Sequence, residues 1–180
     1  MTIIIPKPLR LGSPFPHLSD EMMEKLASTV DGYNYTAEYL APLFTSSFIY
    51  LSVPITGHES KKPPTWHKHL ETWAKKNGYL LFHPLHKVHS YVPNAVDKGL
   101  LPPETLIAMD CCLAASSMVT VVDLTHSYSF GCTTEVLAAA SVKNMVVGVT
   151  GTLPVSVFSQ HFCSNLVKPT ELIPFLEKTI

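Results

Sequence analysis

Charge is scarce in this chain. Lys, Arg, Asp and Glu together make up 15% of the 180 residues, and the formal net charge is −1. No basic stripe is available to neutralise phosphates along a duplex, so a nucleic-acid partner is not expected. Cysteine spacing is equally uninformative for metals or disulfides. Cys111 and Cys112 are adjacent, Cys132 and Cys163 stand alone, and no C-x-x-C pair exists. A zinc knuckle and a disulfide framework are therefore not expected, and a reduced, cytoplasmic setting fits. No apolar run reaches the roughly 18 residues of a membrane span. Met1 to Leu11 lacks the basic-then-apolar order of a signal peptide. Neither G-x-G-x-x-G nor a Walker A lysine loop occurs, so no dinucleotide, ATP or other cofactor is expected.

What is present is apolar. Hydrophobic residues reach 46%, enough for one globular domain with a packed core. So little charge on so apolar a chain also points to surface covered in a homodimer or larger assembly.

The first 46 residues read as an N-terminal extension. Residues 1–18 are proline-rich, Ser19 or Asp20 can cap a short helix to about Val30, and Tyr33, Tyr35 and Tyr39 fit no single pattern. Residues 47–180 are regular. Phe48 to Val53 reads as a buried strand. Thr65 to Asn77 reads as a helix closed by Gly78, with Trp66, Leu70, Trp73 and Ala74 on one face. Tyr79 to Phe82 is a second strand, followed by a long loop from His83 to Leu101. A helix from Pro102–Pro103 to about Ser117 leads to a third strand, Met118 to Leu124. A helix over Thr133 to Lys143, a strand over Met145 to Thr150 and a last helix from Glu171 to Lys178 capped by Thr170 complete the chain. Short apolar strands alternating with helices predict an α/β fold: a doubly wound, mostly parallel sheet of about four to five strands, flavodoxin- or Rossmann-like. With strand order 2-1-3-4, the loops leaving strands one and three, Pro54–Lys62 and Thr125–Thr134, face each other across a crevice.

The chemistry-bearing residues gather around those loops. Glu135 opens the alanine-rich helix at the carboxyl end of the third strand. A place in the first helical turn favours its ionised form, although a plain surface glutamate also fits. Ser127, Ser129, Gly131, Thr133 and Thr134 precede it with hydroxyls and backbone N–H groups suited to a phosphate or sugar. Asp110 sits in Leu-Ile-Ala-Met-Asp-Cys-Cys-Leu and is either exposed on one stripe or buried with a purpose. Tyr50 lies within the first strand, where a core tyrosine with a satisfied hydroxyl is the plain reading. His83, His86 and His89 repeat at H-x-x-H-x-x-H. A proline between the first two breaks any common helical face and no acidic ligand lies in the loop, so substrate contact or loop packing is expected and a metal is not. His67 and His69 fall in the preceding helix. Cys132, before the helix, has at most His126 to act as its base, a weak basis for a cysteine hydrolase.

These residues together resemble the nucleoside 2-deoxyribosyltransferase-like superfamily. The resemblance runs over Ile49-Tyr-Leu-Ser-Val-Pro-Ile-Thr-Gly57, Gly78-Tyr-Leu-Leu-Phe-His-Pro84, Asp110 and Ser129-Phe-Gly-Cys-Thr-Thr-Glu135, about Phe48 to Thr150 plus the closing helix. The segment Phe82-His-Pro-Leu-His-Lys-Val-His-Ser90 is similar to phage and bacterial members. The resemblance implies that Glu135 is the nucleophile at the anomeric carbon, that Asp110 assists proton transfer to the leaving base or holds the sugar, and that Tyr50 hydrogen-bonds the nucleophile. Ser129, Gly131, Ser127, Gly57 and His83 are the expected substrate contacts. Serine at 129, where transferases tend to carry aspartate, implies the nucleotide N-glycoside hydrolase branch. Val53 stands where the family has a small residue and is expected to crowd the pocket, and no arginine follows Gly57.

The expected function is therefore cleavage of the base–sugar bond of a nucleoside 5′-monophosphate or a nucleoside. A deoxyribosyltransferase is one alternative. A nucleotide-derivative binding or sensing module on the same fold is another, although a binding site needs no nucleophile. A phosphoribohydrolase of the lysine-decarboxylase-like kind would need a Pro-Gly-Gly lead-in, where this chain has His126-Ser-Tyr-Ser-Phe.

Overall fold

The computed structural model describes residues 43, 46–54, 63–83, 96–99, 103–125 and 129–180. The expected helix over 19–30, the tyrosines at 33, 35 and 39, and the loop residues Gly57, His86, His89, His126 and Ser127 lie outside the described residues.

Five strands form one all-parallel sheet in the order β2-β1-β3-β4-β5. They are β1 (Phe48–Ser52), β2 (Leu80–Phe82), β3 (Val119–Leu124), β4 (Met145–Thr150) and β5 (Asn165–Val167). The helices are α1 (Thr65–Lys76), α2 (Pro103–Ser116), α3 (Phe130–Ser141), α4 (Val157–Phe162) and α5 (Leu172–Thr179). This is the expected doubly wound architecture. The central strands carry side chains that are buried on both faces, which is why they read as unbroken apolar runs.

Alternation along each strand sorts the core into two layers. Ile49, Leu51, Val119, Val121, Val147 and Val149 face α1 and α5, meeting Trp66, Leu70, Trp73, Leu172 and Leu176. Phe48, Tyr50, Val122, Leu124 and Val146 face α2 and α3, meeting Met109, Leu113, Val136 and Ala139. Leu43, just before the sheet begins, is buried in this second layer. Each fully buried aliphatic side chain contributes about 1.5–3 kcal/mol relative to exposure, so both layers are needed to hold the sheet.

Two glycines serve the backbone. Gly78 ends α1 at φ +77°, the left-handed conformation expected of a helix stop. At Gly148 in β4 an added Cβ would come within 2.7 Å of side-chain carbons of both Leu124 and Leu166, so a larger residue would require those side chains to shift.

Several boundaries differ from expectation. α3 begins three residues before Thr133, because Ser129 caps it by accepting from the Cys132 N–H. It stops at Ser141, and Lys143 follows at φ 62°. Thr170 does not cap α5, whose N-cap position is Glu171 with no side-chain cap bond. α4 and β5 were not expected: six and three residues are too few to show a periodicity. β5 pairs with β4 and returns the chain to the α1 face, where α5 packs.

Candidate active site

The register of β1 on β3 pairs Tyr50 with Thr120 and Ser52 with Val122, which sets the carboxyl ends of these strands side by side. The chain reverses its winding between them, and that is where doubly wound sheets bind ligands. Tyr50 and Ser52 are two apart on β1, so both point to the α2–α3 face. On α3, Cys132, Glu135, Val136 and Ala139 recur at i, i+3, i+4 and i+7, and all are buried. Glu135 thus lies in the inward stripe of its helix. On α2 the same spacing links Leu106, Met109, Asp110 and Leu113. α2 and α3 pack through small residues, Cys111 and Ala115 against Ala138, which lets the two helices approach closely.

The Ser52 hydroxyl donates to Oε2 of Glu135. Ser52 and Tyr50 are wholly buried and Glu135 is 6% exposed. The Tyr50 hydroxyl has no partner that meets full hydrogen-bond geometry, yet it lies near enough to Glu135 to favour the carboxylate's charge. That contact is better described as a charge–dipole interaction than as a closed hydrogen bond. Phe82 stacks on the Tyr50 ring at 5.1 Å between centroids and fixes its plane. Asp110 as a residue is half-buried, but its carboxyl end is enclosed and feels the charge of Glu135.

Burial pushes the Glu135 carboxyl up to about 7, against the opposing pull of the Ser52 and Tyr50 hydroxyls. Burial and then the Glu135 charge hold Asp110 well above the ordinary carboxylate range. Two carboxyls so placed cannot both ionise near neutrality. The Ser52 hydroxyl donates to Glu135, so Glu135 takes the charge and Asp110 keeps the proton. Tyr50 is raised well above its ordinary value, by burial first and then by Asp110 and Glu135, and stays a neutral phenol.

The expectation for Glu135 needs correction on two points. It occupies the second turn of α3, not the first, because the helix starts at Phe130. The helix-dipole effect fades within one turn, so burial and hydroxyl donors, not the helix terminus, govern its charge. It is also enclosed, so it is not a plain surface glutamate.

The remaining expected residues fall in different places. Ser129 caps α3: its Oγ accepts from the Cys132 N–H at 3.4 Å, and its carbonyl accepts from the Thr133 N–H at 3.2 Å. Gly131 is exposed in the first turn of α3, and a Cβ there would meet only the Ser129 Oγ, at 3.5 Å. Ser127 and Gly57 lie outside the described residues. His83 lies at the end of β2, where strand parity turns it to the α1 face, and its ring meets that of His67 at 5.3 Å. It does not share the Glu135 side of the sheet. Val53 does not crowd the pocket: it packs with Leu51 in the α1 layer. Burial pushes the Cys132 thiol up to about 12, with the Glu135 charge adding to it, which removes the thiolate a cysteine hydrolase needs.

Ser52 was not singled out from the sequence. The signal was strand alternation, since any reading that points Tyr50 at Glu135 points Ser52 there too. A second polar cluster was also missed. His67 Nε2 and Asp123 Oδ2 lie 2.9 Å apart, buried on the α1 face. Asp123 Oδ1 also accepts from the Thr125 N–H and hydroxyl, which holds the exit of β3. Burial raises Asp123, but the hydrogen bonds from His67 and Thr125 outweigh it and keep its pKa below the ordinary value. Among the described residues no group of three His, Cys, Asp or Glu side chains is placed to hold a metal ion. No described helix is long and apolar enough to cross a membrane.

No family model matches the chain, and no curated protein matches it in sequence. In three dimensions it is similar to the CMP N-glycosidase BcmB of Clostridium botulinum. The TM-score is 0.50 at 10% identity, over 74% of this chain and 100% of that one. At that identity the likeness is one of fold, and it covers the full length of the solved structure.

Proposed function

We propose that the protein is an N-glycosidase that releases the base from a nucleoside 5′-monophosphate or a nucleoside, with Glu135 as nucleophile. The observation that carries this reading is the buried Glu135 carboxyl, which accepts from the Ser52 hydroxyl and whose charge is felt by a second enclosed carboxyl, Asp110. Such a pair supplies a charged nucleophile and a protonated acid at the same pH. In the proposed cycle the Glu135 carboxylate forms an ester bond to C1′ as the C1′–N bond breaks. Asp110 gives its proton to the departing base. Water then attacks C1′, the Asp110 carboxylate takes a proton from that water, and Glu135 leaves as a carboxylate. The products are free base and a pentose or pentose 5-phosphate, and both carboxyls return to their starting states. Tyr50 stays a phenol and stabilises the Glu135 charge between turnovers. Ser129, at the N-cap of α3, offers its hydroxyl to a phosphate or sugar oxygen.

The fold likeness to a CMP N-glycosidase supports this choice of substrate class. So does the resemblance of Ile49–Gly57 and Ser129–Glu135 to the nucleoside 2-deoxyribosyltransferase-like superfamily. Transfer to a second base would share the first half of the cycle and differ only in what attacks the ester. The test is a chromatographic screen for base release from CMP, the other nucleoside 5′-monophosphates, free nucleosides and NAD, with and without an acceptor base. Release that needs no acceptor supports hydrolysis. No release from any of them would remove the reading.

A further inference from the structure

We propose that Ser52 is the positioning residue of this site: its hydroxyl holds Oε2 of Glu135 and so leaves the other carboxylate oxygen to attack C1′. The inference rests on the N-glycosidase reading and adds to it a residue that the resemblance does not supply.

The geometry is constrained from both sides. Ser52 is the last residue of β1 and is wholly buried, so no bulk water competes for its hydroxyl. Its backbone is locked by parallel pairing with Val122 of β3. Glu135 is equally constrained, in the buried stripe of α3 and held there by Val136 and Ala139 on the same layer. A carboxylate on a flexible side chain would otherwise lose orientation at each turnover, and misplacement of a reacting atom by about 1 Å can cost a hundredfold in rate.

The direction of the hydrogen bond is also set. An ionised carboxylate can only accept, so the Ser52 proton goes to Oε2 of Glu135. A serine that merely satisfied itself in the core would need no acceptor of this kind, since a backbone carbonyl would serve.

The test compares Ser52→Ala and Ser52→Thr with the parent protein, in two measurements. The first is a carbon-13 NMR titration of the glutamate side-chain carboxyls, with Glu135 identified by the signal missing from Glu135→Gln. Loss of the donor in Ser52→Ala should move the Glu135 midpoint upward by about one pH unit or more, because a hydrogen bond to a charged group is lost. Ser52→Thr keeps the hydroxyl and should stay near the parent midpoint. The second is base release from the nucleoside 5′-monophosphates as a function of pH. Ser52→Ala should lower kcat about 10- to 100-fold with little change in KM and shift the acidic limb with the NMR midpoint, and Ser52→Thr should restore most of the rate.

A Glu135 midpoint unchanged in Ser52→Ala would overturn the inference, as would an unchanged kcat. A shifted midpoint with no base release from any protein would leave Ser52 in control of Glu135 and refute the N-glycosidase reading instead. The NMR arm needs only folded Ser52→Ala, a buried hydroxyl deletion that removes one atom and adds none.

Discussion

Asp110 and Glu135, on neighbouring helices, divide one proton unequally: burial and then the charge of Glu135 raise Asp110, while the Ser52 hydroxyl donates to Glu135. The inequality gives two like carboxyls opposite roles at neutral pH.

Glu135→Gln should keep the fold. The change is nearly isosteric, and the amide oxygen still accepts from Ser52. Base release should fall by about a thousandfold or more, because an amide cannot form the glycosyl ester. Ground-state binding should persist, since Ser129 and the backbone N–H groups are untouched. Turnover and equilibrium binding measured on one preparation check both halves. Parent-like turnover with a native circular dichroism spectrum would leave the binding-module reading in front.

The pH–rate profile should be bell-shaped, with its acidic limb near pH 7, where Glu135 gains its charge. Stability should run the other way. Folded Glu135 binds its proton up to about 7 and a free glutamate only to about 4.5. The native state therefore holds the extra proton in that window, and stability falls as pH rises through it, by an amount on the order of a few kcal/mol. Urea melts from pH 4 to 8 should show this slope in the parent and a flatter profile in Glu135→Gln.

Asp110→Asn should remove the alkaline limb and slow base release by about a hundredfold. The loss should be smaller for substrates whose base leaves readily without protonation. A variant equally slow on good and poor leaving groups would argue that Asp110 holds the sugar and does not act as the acid.

Asp123→Ala should destabilise the fold by about 2 to 4 kcal/mol, since it leaves the buried His67 ring and the Thr125 N–H without their acceptor. Asp123 is held below its ordinary pKa, so its contribution is present above the unfolded value and lost as pH falls through the folded one. Chemical denaturation at pH 7 and at pH 3 should show the parent and Asp123→Ala converging at the acid end.

We propose a homo-oligomer. Phe130 is 86% exposed and Val157 82%, each at the first position of its helix, and Ile107 on α2 is 59% exposed. These three side chains are the candidates for such an interface, on a chain with little charge to keep copies apart. Light scattering should give a multiple of 19.8 kDa. A monomer at high concentration would refute the proposal, and Phe130→Ser should shift the equilibrium toward smaller species if Phe130 lies in the interface.

The alternation of apolar runs and helices was sufficient to read a parallel doubly wound sheet and four of its five strands. Each of those runs is long enough to show its own period. β5 and α4 were not legible, because three and six residues carry no period and β5 is held by its pairing with β4. Tyr50, Asp110 and Glu135 could be named in advance, since each is a polar group set in an apolar pattern. Their protonation states could not. A glutamate near a helix start reads as ionised from sequence, yet one turn of offset and the closure of α2 over α3 place it at about 7. Whether His83 shares a side of the sheet with Glu135 depends on strand parity, and parity becomes meaningful only once the register is known. The same holds for Ser52, whose partner lies 83 residues away. Sequence determines which local elements can form and which polar residues are out of place. Only the tertiary structure decides which of those residues meet, because desolvation and Coulomb interaction act through space and not along the chain.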